Sequence, residues 1–185
     1  MSDTNSNMLA LGTKAPFFEL PNPSEKNESQ TLEELKGEKG TLVIFMCNHC
    51  PFVLHVIDQL AELYEDYSKK GIEFIAINSN NAEKYPADSA DKMADFQDDE
   101  GFKFPYLYDE SQSVAKAFNA ACTPDFYFFD DKLDLIYRGQ MDDSRPGNQK
   151  EVTGEDLIIA FENLLAGENQ EEVQKPSMGC GIKWK

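Results

Sequence analysis

The sequence predicts an α/β fold of one domain built on a mixed central sheet, and three stretches carry that expectation. Thr41-Leu42-Val43-Ile44-Phe45-Met46 is a continuous apolar run of strand length, the pattern of a strand covered on both faces. Apolar residues then recur at helical spacing, and Ile72 to Ile77 is a second apolar run. Strand, helix and strand form a right-handed βαβ unit with parallel strands. Further on, Asp125 to Phe129 and Leu133 to Tyr137 flank the polar turn Asp130-Asp131-Lys132, which reads as an antiparallel hairpin.

The remaining elements follow in order. Residues 1–14 are polar and expected to be a flexible segment, residues 15–167 the domain, and residues 168–185 a charged tail. Ala15 to Leu20 reads as a short edge strand before a loop from Pro21 to Ser29. Thr31-Leu32-Glu33-Glu34 has the form of a capping box opening one helical turn. Val53, Val56, Ile57, Leu60 and Leu63 mark one face of a helix that runs to Gly71. A polar stretch begins at Asn78, with a helix expected around Asp91 to Asp99, a strand at Phe104 to Tyr108 and a short helix through Val114 to Phe118. Thr153 is the expected cap of a closing helix that carries Leu157, Ile158, Phe161 and Leu164 on one face and stops at Gly167.

A chain of 185 residues with 41 % hydrophobic residues can bury one core and is too short for two ordinary domains. Acidic residues outnumber basic ones 34 to 17, giving a formal charge of −17 that repels phosphate backbones and anionic membranes. Neither nucleic acid nor a membrane is therefore an expected partner, and the dispersed acids read as a hydrated surface. The opening MSDTNSNMLALGTK lacks the basic start and apolar run of a secretory signal, so a cytoplasmic location is expected. Four cysteines are far fewer than a disulfide-built secreted domain uses, and they are better read as chemistry.

Cys47-Asn48-His49-Cys50 stands where the first strand passes into the helix. Two cysteines separated by two residues at a helix start can bring their sulfurs within bonding distance. Unpaired N–H groups and the positive end of the helix dipole favour thiolate there. Since thiolate is the attacking species, Cys47 is the expected nucleophile and Cys50, one turn inside, the expected resolver. His49 is expected to stabilise the Cys47 thiolate as an imidazolium or N–H donor. Pro51 costs the helix little in its first turn. His55 falls on the polar helix face with Gln59, Glu62 and Asp66 and reads as solvent-facing. A zinc site is the competing reading of Cys-x-x-Cys with a histidine, but a second ligand pair is missing. No metal or other cofactor is expected.

Strand, Cys47-Asn48-His49-Cys50, helix, strand, and then Thr123-Pro124 before a hairpin and a last helix together resemble the thioredoxin superfamily across most of residues 15–167. The added segment from Asn78 to Tyr108 is similar to that of the redoxin branch, which includes AhpC/TSA-like and TlpA-like proteins. The tail Pro176 to Lys185 resembles the end of bacterial thioredoxin-like proteins of that branch. The resemblance implies a three-layer α/β/α sandwich with a redoxin-type insertion. It further implies that Thr123-Pro124 is a cis peptide beside the dithiol, with the Thr123 backbone offering strand-like hydrogen bonds to substrate. Two departures stand out. The position six residues before the first cysteine, a buried acid in thioredoxin, is Thr41. The threonine that peroxiredoxins carry three residues before their reactive cysteine is Ile44, and Arg138 and Arg145 are the only arginines.

The implied activity is thiol–disulfide exchange with protein or small-molecule thiols and disulfides, supplied by an electron donor such as a thioredoxin or glutathione system. A thiol-dependent peroxidase using Cys47 and a zinc-stabilised binding module are the alternatives. Cys122, just before the proline loop, reads first as a small buried hydrophobe and, as the alternative, as a possible third redox thiol near enough to Cys47 for exchange or for shaping the substrate groove. Cys180 is a possible third redox thiol if the tail folds across the body, with Trp184 in an apolar groove and Lys183 and Lys185 against the acidic surface.

Overall fold

A computed structural model describes residues 3–185, so the part of the expected flexible segment that falls on residues 1–2 lies outside the described residues. The chain runs β1 (Asp3–Asn5), β2 (Glu19–Asn22), β3 (Glu28–Thr31), α1 (Leu32–Leu35), β4 (Gly40–Phe45), α2 (Pro51–Ser68) and β5 (Ile72–Asn78). It continues through α3 (Ala90–Glu100), β6 (Tyr106–Tyr108), α4 (Ser113–Ala117), β7 (Cys122–Thr123), β8 (Asp125–Asp130), β9 (Leu135–Gly139), α5 (Glu155–Ala166) and β10 (Met178–Gly181).

Strand β4 is buried at every residue and lies at the centre of a five-stranded sheet of order β6-β5-β4-β8-β9. It pairs in parallel with β5 and antiparallel with β8, so the sheet is mixed. The period-two geometry of a strand divides its side chains between two cores. Leu42 and Ile44 face Val53, Ile57 and Leu60 of α2 and Phe161 of α5. Val43 and Phe45 face Phe18, Leu32 of α1, Ala115 of α4 and Phe118. Helical layers thus cover both faces, giving the three-layer sandwich. Phe161 packs within 4.8–5.6 Å, centroid to centroid, of Tyr67, Phe74 and Phe128, which locks α5 and α2 onto the same side of the sheet.

Several local expectations are corrected. The strand expected at Ala15 to Leu20 is Glu19–Asn22, and it lies not at the edge of the central sheet but in a separate two-stranded sheet with β3, which begins in the stretch read as a loop, Leu20 and Pro21 pairing with Gln30 and Ser29. The N-terminal segment is not loose from Asp3 onward: Asp3, Thr4 and Asn5 pair with Cys180, Gly179 and Met178. Lys14 bridges to Asp134. The tail is likewise built into the body, since β10 sits between β1 and β7. The cap of α5 is Gly154, in the left-handed conformation at φ 72°, and not Thr153. The reason lies in another loop: one carboxylate oxygen of Asp142 accepts both the Thr153 and Gly154 amides, at 2.9 and 2.7 Å. No side-chain cap is then needed.

Candidate active site

The turn from β4 into α2 leaves the carboxyl end of the central strand, where the Met46 amide still bonds to the Ile77 carbonyl at 3.0 Å. Cys47 to Cys50 form that turn. Pro51 occupies the first helical position and Cys50 is the N-cap. Because β8 is the antiparallel neighbour of β4, the residues just before β8 fall beside Cys47. There the Thr123–Pro124 peptide is cis, as the resemblance implied. Thr123 Oγ1 lies 3.4 Å from Cys47 Sγ, and the Thr123 carbonyl oxygen lies 3.4 Å from Cys50 Sγ.

The two thiols are not equivalent, and the charge distribution differs from the sequence expectation. Cys50, not Cys47, is the N-cap, and its carbonyl accepts the Val53 and Leu54 amides at 2.9 and 3.0 Å. Donation from the Cys47 thiol is the largest influence on Cys50; with further donors from Cys180 and the Val53 amide it outweighs burial and pulls the thiol down from 9.0 to about 5. Holding that proton, together with burial and the nearby Asp88 carboxylate, pushes Cys47 well above the ordinary thiol range. The hydrogen bond between the two sulfurs thus acts in opposite directions on them, lowering Cys50 and raising Cys47.

Cys180 completes a group of three sulfurs. Its Sγ lies 2.7 Å from Cys50 Sγ. Cys180 and Gly181 pair with Thr123 and Cys122 in antiparallel register, so the chain's own C-terminal strand occupies the backbone edge beside the cis-proline. Gly179 permits that approach, since a β-carbon there would overlap the Thr123 carbonyl. Beyond the strand, the Lys183 amide donates to Asn80 Oδ1 at 2.9 Å and the Lys185 amide to Gln112 Oε1 at 3.0 Å. All four cysteines are buried and unbonded.

A buried acid is present, but it comes from the insertion. Asp88 accepts the Asn48 amide at 2.9 Å, Asn78 Nδ2 at 3.0 Å and Asn80 Nδ2 at 3.0 Å. His49 Nε2 lies 3.6 Å from its other edge. The structure therefore directs the His49 imidazole to Asp88, the carboxylate that pushes Cys47 upward. Tyr106, buried in the same network, donates to Asn48 Oδ1 at 2.8 Å. Asn48, Asn80, Tyr85, Asp88 and Lys183 are the site residues that sequence reasoning missed. The available signal was the polar run Asn78-Ser79-Asn80-Asn81 directly after a buried parallel strand, the edge at which α/β sheets hold ligands. Cys47, Cys50 and Cys180 line a cavity of about 160 Å³ with His49, Tyr85 and Lys183.

Other expectations separate from this site. Thr41 accepts the Gly37 amide at 2.9 Å and organises the loop before β4. His55 is not simply solvent-facing, because its Nε2 pairs with Ser144 Oγ at 2.7 Å. Cys122 is completely buried, with its sulfur 3.8 Å from the Pro124 carbonyl, and burial pushes its thiol far up. Trp184 is 42 % exposed rather than seated in an apolar groove; backbone pairing holds the tail instead. Lys183 Nζ lies over the Tyr85 ring at 5.9 Å rather than against the acidic surface. Arg138 bonds to Leu9 and Gln174, and Arg145 to Gln140, Asp142 and Ser144, so neither is directed at the sulfurs. Among the described residues no group of three or more His, Cys, Asp or Glu is arranged to hold a metal ion. Among them, too, no helix is long and apolar enough to cross a membrane.

Comparison with known proteins follows the same lines. The family model described as Redoxin matches residues 10–157. Among solved structures, an uncharacterized conserved protein from Geobacillus kaustophilus is 52 % identical with a TM-score of 0.98, over 100 % of this chain and 97 % of that one. A hypothetical protein from Sinorhizobium meliloti 1021 is 45 % identical with a TM-score of 0.95, over 98 % of each chain. The thiol-disulfide oxidoreductase ResA of Oceanobacillus iheyensis is 27 % identical over 130 residues, which are 69 % of this chain and 63 % of that protein. The chain thus spans less than two thirds of that relative's length.

Proposed function

The chain belongs to the Redoxin family, and on that premise we propose that it is a thiol–disulfide oxidoreductase working through Cys47 and Cys50. The observation that carries the reading is the contact of both sulfurs with Thr123, one residue before the cis-proline. Likeness to a protein named as a thiol-disulfide oxidoreductase supports it.

In the reducing direction, the Cys50 thiolate attacks one sulfur of a substrate disulfide. A Cys50–substrate disulfide forms and the other substrate sulfur leaves as thiolate. The Cys47 proton passes to that thiolate, and Cys47 then attacks Cys50 to form the Cys47–Cys50 disulfide and release the second substrate thiolate. The substrate disulfide gains two electrons and the protein dithiol loses them. The reverse sequence oxidises a dithiol. Protein or small-molecule thiols and disulfides are the substrates in this reading, with a thioredoxin or glutathione system in the cytoplasm returning the protein to its starting state.

The test is turnover of glutathione disulfide, or of a disulfide-bonded peptide, with either donor system present. Catalysis by the wild type that disappears in Cys50→Ser and falls by about 10² or more in Cys47→Ser is the expected result. Equal rates for the wild type and the Cys47→Ser/Cys50→Ser double variant would overturn it.

A further inference from the structure

We propose that Cys180 is a second resolving thiol, forming a Cys50–Cys180 disulfide in competition with the Cys47–Cys50 disulfide, so that the C-terminal strand acts as a substrate tethered in the site. The inference rests on the oxidoreductase reading and deepens it by adding a third thiol to the same site.

Three observations place Cys180 for this role. Its sulfur lies 2.7 Å from that of Cys50. Its backbone is registered against Thr123, so the sulfur is positioned by a strand and not by a free tail. Hydrogen bonds continue on its C-terminal side, with the Ile182 amide on the Ala121 carbonyl at 3.0 Å and the Lys183 amide on Asn80 at 2.9 Å. A thiol held this way has an effective concentration far above that of a free thiol at millimolar levels.

The chemistry balances within the proposed reaction. Once a Cys50–substrate disulfide has formed, the departing substrate thiolate takes the Cys180 proton. The Cys180 sulfur then attacks Cys50, the Cys50–substrate bond breaks, and the second substrate sulfur leaves as thiolate. Two electrons have moved from the Cys50/Cys180 pair to the substrate. Cys47 can then lose its proton and attack Cys50, transferring the bond to Cys47–Cys50 and returning Cys180 to the thiol. Cys50 is the shared sulfur because it touches both Cys47 and Cys180.

Docking of β10 also selects the substrate. While Cys180 is paired to Thr123, an extended polypeptide cannot pair with that edge. Access then runs through the cavity of about 160 Å³ beside His49, Tyr85 and Lys183, which suits a small disulfide. A protein disulfide requires β10 to peel away first.

The test uses the full chain as Cys47→Ser and as Cys47→Ser/Cys180→Ser, each treated with glutathione disulfide, acid-quenched, alkylated and mapped by mass spectrometry. In Cys47→Ser, a Cys50–Cys180 bond should replace the Cys50–glutathione adduct, which should be at least about tenfold less abundant than in the double variant. Equal adduct levels in the two variants, with Cys180 alkylated throughout, would overturn the inference and leave the oxidoreductase reading standing. A wild-type chain whose Cys47 and Cys50 never enter any disulfide would overturn both. Mapping the wild type guards against misfolding of the variants: a Cys50–Cys180 peptide pair in the partly oxidised protein is expected, and its absence at every potential contradicts the inference.

Discussion

Asp88 Oδ1 accepts the backbone amide of Asn48 at 2.9 Å, so a buried carboxylate from the insertion holds the turn between the two site cysteines. The same group raises Cys47 through its charge and faces His49 across 3.6 Å. Electrostatics and turn geometry are thereby coupled in one residue. Two substitutions should separate their signs. Asp88→Asn removes the charge and should lower the Cys47 pKa, while His49→Leu leaves the carboxylate without its imidazole and should raise it. Thiolate absorbance followed against pH measures both.

Asp88→Asn should also destabilise the fold. All three side-chain and backbone partners of Asp88 are donors, so one amide edge would face Asn80 donor to donor. Loss of a buried hydrogen bond to a charged group costs about 1–3 kcal/mol. At roughly 2–4 °C per kcal/mol for a chain of this length, the thermal midpoint should fall by several degrees. An unchanged midpoint would show that the turn is held by other contacts.

The pH dependence of the reduced protein follows from Cys50. Its folded-state pKa of about 5 lies below the ordinary 9.0. A depressed pKa adds stability that is full above 9, declines as pH falls from 9 toward 5, and is gone below 5. The stability advantage of reduced wild type over Cys50→Ser should therefore grow from pH 5 to pH 9 in denaturant titrations. Cys47→Ala removes the principal donor to Cys50 and should move the thiolate midpoint upward from 5. A Cys50 midpoint that stays near 9 in the wild type would refute this charge distribution.

Gly179→Val drives a side chain into the Thr123 carbonyl and should detach β10 from β7. Overpacking of this kind costs roughly 1–3 kcal/mol. Cys50 and Cys180, now 3 % and 4 % exposed, should then be alkylated faster under native conditions. Unchanged alkylation rates would mean that the strand does not control access.

Much of this architecture was legible in the chain. The central strand, the helix behind the dithiol and the hairpin announced themselves because burial on two faces demands uninterrupted apolar runs and burial on one face demands periodicity. Thr31 and Glu34 form the expected capping box. What was not legible depends on contacts between distant residues. Asp3 and Cys180 are partners in one ladder, yet neither flank has the apolar alternation of a strand; the three-stranded sheet they join is held by backbone pairing, to which sequence pattern is blind. Asp88 is one of 34 acidic residues, and only its enclosure by Asn48, Asn78 and Asn80 sets it apart. The lowering of Cys50 depends chiefly on its contacts with the Cys47 and Cys180 sulfurs, side-chain geometry that composition does not resolve.

The most direct test of the central claim is equilibration of the reduced full chain in graded glutathione redox buffers, followed by acid trapping, alkylation and mass spectrometry of the cysteine peptides. The predicted result is a reversible Cys47–Cys50 disulfide with a single midpoint potential. The contradictory result is that both cysteines are alkylated as free thiols at every potential, which would remove the dithiol from the chemistry of this protein.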